Sequence, residues 1–113
     1  MVASTGRVPN ERPTLYLKQL CEHFAHERGR HGAPGVEVSY DDDEGFINFA
    51  PVISGSCRLD AREEGVLILA VSASDLTALE RVQGVLTDHV ERFGQRNGLT
   101  VEWTAASEQT STG

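Results

Sequence analysis

Two cysteines and four histidines carry most of the distinctive chemistry in this 113-residue chain. Three of the six stand close together as Cys21-x-His23-x-x-His26, while Cys57 and His89 stand apart. Thiolate and imidazole are the usual protein ligands of zinc, copper and iron. Two thiols alone also suit a soft metal or a reversible disulfide. The candidate metal site is therefore Cys21 and Cys57 as soft ligands or redox partners, with His23, His26 and His89 as imidazole donors. The transition metals to expect are zinc, copper or iron.

Whether these groups meet depends on the elements that hold them. Leu17, Leu20, Cys21 and Phe24 recur at i, i+3, i+4 and i+7, one face of an α-helix beginning near Pro13 or Thr14 and running to about Glu27. Cys21 then points into the core. His26 lies roughly 180° around the helix from Leu17, at about 100° per residue, and His23 lies on the border. One helix therefore cannot converge all three. The plainer reading makes Cys21 a small core residue and pairs His23 with Glu27 and His26 with Glu22, each at i,i+4. Cys57 shares the inward side of Ser56–Ala61 with Leu59 and Ala61, so it can meet Cys21 where helix and sheet touch. The plain reading there is two buried, inert thiols. His89 sits at the edge of a second helical stripe, Leu79, Val82, Leu86, Val90 and Phe93.

Taken in order, residues 1–12 are mostly polar and are expected to form a flexible arm. Residues 13–104 form the single domain, and residues 105–113 a disordered tail. Gly29 and Pro34 end the first helix. Val36, Val38 and Tyr40 alternate as a strand; Asp41–Gly45 turns the chain; Phe46–Phe49 returns with Ile47 and Phe49 inward. Further strands follow at Ser56–Ala61 and Val66–Val71. Ser74 is a plausible cap for the second helix, which closes near Asn97-Gly98, and Leu99, Val101 and Trp103 mark the last strand. The order α-β-β-β-β-α-β describes an α+β two-layer sandwich, a five-stranded, mainly antiparallel sheet with both helices on one face. The last strand is expected beside the first one after the helix, the alternative being a right-handed crossover that lays it parallel beside the fourth. Val66–Val71 is apolar on both sides. Leu67, Leu69 and Val71, with Phe46, would then line an open face, and a homodimer is expected through it.

Composition narrows the partners. The formal net charge is −7, with pI near 5.0, which disfavours nucleic acid and anionic membrane. No stretch approaches the roughly 18 apolar residues of a membrane span, and the start lacks a secretion signal, so a cytoplasmic protein with reduced thiols is expected. Asp41–Glu44 is a solvated turn rather than a calcium loop, which needs glycine at its sixth position and glutamate at its twelfth. No phosphate-binding glycine loop, serine-nucleophile motif or Cys-x-x-Cys occurs.

Arg12-Pro13, then Tyr16-Leu-Lys-Gln-Leu-Cys-Glu-His-Phe-Ala-His26, is similar to the start of a bacterial family known as domain of unknown function 2218. Gly55-Ser-Cys-Arg-Leu59 resembles its central strand. Leu79-Glu80, His89-Val-Glu-Arg-Phe93 and Leu99-Thr-Val-Glu-Trp103 resemble its end. The likeness spans roughly residues 10–104. It implies no activity. It implies an accessory role in iron or other metal handling, beside siderophore-interacting flavin reductases as partners. A small non-enzymatic binding protein is the leading expectation. A thiol-dependent redox protein or enzyme using Cys21, and a structural dimer module, are the alternatives.

Overall fold

A computed structural model describes residues 2–30, 37–49, 54–93, 98–104 and 107–108. Strand β1 (Val2–Pro9) precedes helix α1 (Pro13–Arg30). Strands β2 (Glu37–Tyr40), β3 (Glu44–Asn48), β4 (Gly55–Asp60) and β5 (Val66–Ala73) follow, then helix α2 (Leu76–Phe93), β6 (Glu102–Trp103) and β7 (Ser107–Glu108). All pairings are antiparallel, in the order β2-β3-β4-β5-β1-β6, with β7 also on β1. The architecture is the expected α+β sandwich. Among the described residues it has seven strands rather than five.

The flexible arm expected over residues 1–12 is overturned. Val2–Pro9 is an interior strand, hydrogen-bonded to β5 along its whole length and to β6 and β7 on its other side. Its helix-facing positions are Ser4, Gly6 and Val8, of which only Val8 is a sizeable apolar residue, so the usual alternation is hidden. Ser4 is 5% exposed because its hydroxyl donates to the Thr104 carbonyl at 2.8 Å. Gly6 is small because Trp103 lies over it: a Cβ there would come within 2.8 Å of the indole and of Val101.

This strand also corrects the placement of the last one. β6 does not pair with β2. It pairs with β1, so β5 and β6 run the same way with β1 between them, and α2 makes the crossover. In the expected tail, Ser107 and Glu108 pair with Ala3 and Val2; residues 105, 106 and 109–113 lie outside the described residues.

Both helices cover one face. A Cβ at Gly45 would meet Cys21 and Leu17 of α1, and one at Gly55 would meet Val82 of α2. The residues in register with these positions form the core: Ile47, Cys57, Leu59, Leu67, Leu69 and Val71, all at most 1% exposed. Burying each large side chain of this kind contributes about 1.5–3 kcal/mol. Leu67, Leu69 and Val71 therefore lie beneath the helices, and the open-face patch expected of them is not there. On β5 the open face carries Val66, Ile68, Ala70 and Ser72 instead. Phe46 does face that side, 38% exposed.

Local signals explain the remaining boundaries. Asp75, not Ser74, caps α2: its carboxylate accepts from the Ala78 amide at 2.8 Å. Gly29 is inside α1 rather than beyond its end. The Asp41 carboxylate closes the β2–β3 turn by accepting from the amides of Asp43 and Glu44, at 2.8 and 2.9 Å. Those two amides hold it below the usual carboxylate range.

Candidate functional site

The chemistry-bearing residues divide between two places. Cys21 and Cys57 lie in the layer between the helices and the sheet, both with no exposed surface and both reduced. Cys21 presses on β3 where Gly45 leaves room for its sulfur. Cys57 lies on β4, between Ile47 and Val71 of the adjoining strands. Burial, with the Glu22 carboxylate nearby, pushes the Cys21 thiol up to about 12. Burial, then the neighbouring Cys21, pushes Cys57 higher than an ordinary thiol as well. Cys57 has a weak outlet, its thiol donating to the Arg58 carbonyl at 3.7 Å. Neither sulfur carries an appreciable thiolate fraction near neutral pH.

The histidines meet elsewhere. α1 and α2 lie side by side on the sheet, and a residue next to each helix's buried stripe is turned toward the other helix. On α1 that residue is His23, beside Phe24; on α2 it is His89, beside Val90. Both are half-buried. Their ring centres are 4.6 Å apart, the planes inclined at 57°. Phe24 packs against both, at 4.7 Å from His89 and 5.8 Å from His23, and stands edge-on to Phe49 at 5.4 Å. Nδ1 of His89 lies 2.7 Å from the Val85 carbonyl oxygen. A carbonyl only accepts, so Nδ1 carries a proton and donates it to Val85.

The five-residue metal set thus does not assemble as one site. Cys21 and Cys57 share the buried layer between the helices and the sheet, and His23 and His89 are brought together at the seam between helices. The side chain of His26 lies outside the described residues. No group of three or more histidine, cysteine, aspartate or glutamate side chains converges among the described residues. The partner expected for His26, Glu22, accepts from the Tyr40 hydroxyl at 3.1 Å. The sequence named both members of the imidazole pair but not their pairing. The helical stripes fix each azimuth and leave open which flank of one helix faces the other. Val85, four residues before His89, was the missed signal for the proton position.

A hollow of about 590 Å³ opens beside the start of α1, lined by Asn10, Arg12, Leu15, Tyr16 and Leu99 among others. Asn10 is occupied in shaping the loop, donating to the Val8 carbonyl and accepting from the Arg12 amide. No described helix is long and apolar enough to cross a membrane.

A family model described as "Uncharacterized protein conserved in bacteria (DUF2218)" matches residues 5–104. A solved structure, "NMR structure of PA4090 from Pseudomonas aeruginosa", is similar at 27% identity with a TM-score of 0.72, over 96% of this chain and 100% of that one. Comparison with curated proteins gives no match.

Proposed function

Because the chain belongs to the bacterial DUF2218 family, of uncharacterised activity, we propose that it is a small binding or accessory protein of metal metabolism, acting through imidazole rather than thiolate. The observation that carries this reading is the His23–His89 pair: two imidazoles from separate helices, their ring centres 4.6 Å apart, both half-open to solvent. Burial of both thiols disfavours the thiol-enzyme alternative, which needs an accessible sulfur with a lowered pKa. The family resemblance adds a siderophore-interacting flavin reductase as the partner of this reading.

Calorimetric titration of the native protein with copper(II), nickel(II) and zinc(II) tests it. One ion per chain is expected, with binding retained in Cys21→Ala and lost in His89→Phe. Binding that follows the cysteine and ignores the histidine would refute the reading. Titrating a flavin reductase of this class against fluorescently labelled protein tests the partner, and an unchanged signal would remove it.

A further inference from the structure

We infer that the open face of the sheet is the meeting surface of two copies of this chain, related by a two-fold axis running roughly along β5. The inference stands independently of the metal-binding reading above.

Three observations carry it. The first is what the face exposes. Both helices lie on the other side of the sheet, and the register fixes which side chains share this one. Ile68 stands in one row with Asp60 of β4 and Arg7 of β1. Ala70 stands in the next, with Arg58 and Thr5. Ala70 and Arg58 are exposed and Ile68 is half-buried, although all three belong to interior strands. Phe46, in register with Arg58, is 38% exposed. The second is area. At about 4.8 Å between strands and about 3.3 Å per residue, the sheet from β2 to β6 offers roughly 24 by 20 Å. Two copies then cover about 1,000 Å², the lower bound for a specific association.

The third is charge. β4 and β1 flank β5 on opposite sides. A two-fold axis along β5 lays Ile68 and Ala70 on their own copies and sets β4 of one chain over β1 of the other. Arg7 then faces Asp60 of the second copy, and the contact occurs twice. Face-to-face sheets lie about 10 Å apart, a gap that an arginine and an aspartate bridge from its two sides. Neither group is fully committed within the chain. Arg7 meets Glu63 at 3.4 Å with half of its side chain in water. Asp60 accepts from the Arg62 amide through Oδ1, which leaves Oδ2 for a partner. The outer members of the row, Glu44 and Glu102, come together at the rim, where Arg62 already pairs with Glu44 and salt screens the remaining charge.

Sedimentation equilibrium of the full chain, from micromolar to submillimolar concentration, tests it. The average mass is expected to rise from 12.3 kDa toward twice that value. Ile68→Arg, which seats two guanidinium groups at the axis, is expected to hold it at the monomer value. Arg7→Asp alone opposes two pairs of carboxylates, and Asp60→Arg alone two pairs of guanidinium groups. Each is expected to weaken association at least roughly 10²-fold. Mixed in equal amounts, these two variants are expected to associate with each other as the unaltered chain does, because the charge at position 7 of either copy then faces an opposite one at position 60 of the other. Circular dichroism checks that the variants are folded. Should Asp60→Arg fail to fold for want of an acceptor for the Arg62 amide, Asp60→Asn keeps one and is expected to weaken association roughly tenfold. A chain that stays monomeric throughout, a dimer indifferent to Ile68→Arg, or a mixture that does not associate would each overturn the inference.

Discussion

Changing Gly45 to alanine sets a methyl group against the sulfur of Cys21. The added Cβ would lie 2.8 Å from Sγ, 3.2 Å from the Cβ of Tyr40 and 3.5 Å from a Leu17 methyl. Comfortable contact is about 3.5–4.0 Å, so the overlap with sulfur is roughly 1 Å. Both sides are held, one by a strand paired on each flank and the other by a fully buried helix face. Overpacking of this size costs about 1–3 kcal/mol. Cys21→Ala alone removes one buried heavy atom and costs about 0.5–1.5 kcal/mol, by analogy with a deleted methyl. In the double variant the new methyl occupies the space the sulfur left, and alanine in place of a strand glycine recovers roughly 0.5–1 kcal/mol of chain entropy. The double variant is therefore expected to be more stable than Gly45→Ala alone, with a coupling of at least about 1 kcal/mol. Urea unfolding at pH 7 measures it, the dependence on denaturant serving as the check that the transition is unchanged. Effects that simply add, to within about 0.3–0.5 kcal/mol, would refute the proposed contact between α1 and β3.

Three further outcomes are expected. The Cys21 thiol is raised from 9.0 to about 12, so the folded state holds this proton more tightly than the unfolded chain does. The stability it contributes is whole below about pH 9 and declines toward pH 12, by up to about 1.4 kcal/mol per pH unit. Unfolding midpoints between pH 7 and 11 should fall less steeply in Cys21→Ala, and an equal slope would deny the burial. A chain beginning at Asn10 is expected to lose cooperative unfolding by calorimetry, because it lacks the strand between β5 and β6; an unchanged transition would contradict the sheet order. The single tryptophan donates from Nε1 to the Thr87 hydroxyl at 2.8 Å. Thr87→Val should cost about 1 kcal/mol and shift tryptophan emission, and identical spectra would refute that bond.

What the sequence made legible follows period. Leu17, Leu20, Cys21 and Phe24 wrote α1, and Leu79, Val82, Leu86 and Val90 wrote α2, because large apolar residues at helical spacing face one core. Val66–Val71 was legible as a strand but not in its orientation. Leu67, Leu69 and Val71 alternate with Val66, Ile68 and Ala70, apolar on both sides, so the pattern does not say which set lies under the helices. β1 was illegible for the opposite reason. Ser4 and Gly6 face the core through a hydrogen bond to Thr104 and a close approach to Trp103, contacts about a hundred residues away along the chain. No local window holds such information. The functional residues divided likewise: inward placement of both thiols followed from stripe and alternation, whereas the meeting of His23 with His89 needed the relative setting of two helices.

The interior position of β1 has a kinetic consequence. Val2–Pro9 joins partners at 66–73 and 102–108, so ring closures of tens of residues must precede every hydrogen bond it makes. The β2–β5 meander, by contrast, zips through short neighbouring turns. Sheet assembly is then a local hairpin cascade followed by a slow, long-range docking event. During that interval the outer border of β5 stands unsaturated, a template for whichever extended segment arrives first. A second molecule at high concentration competes there with the chain's own β1, so refolding yield should drop with concentration even where the finished domain stays soluble.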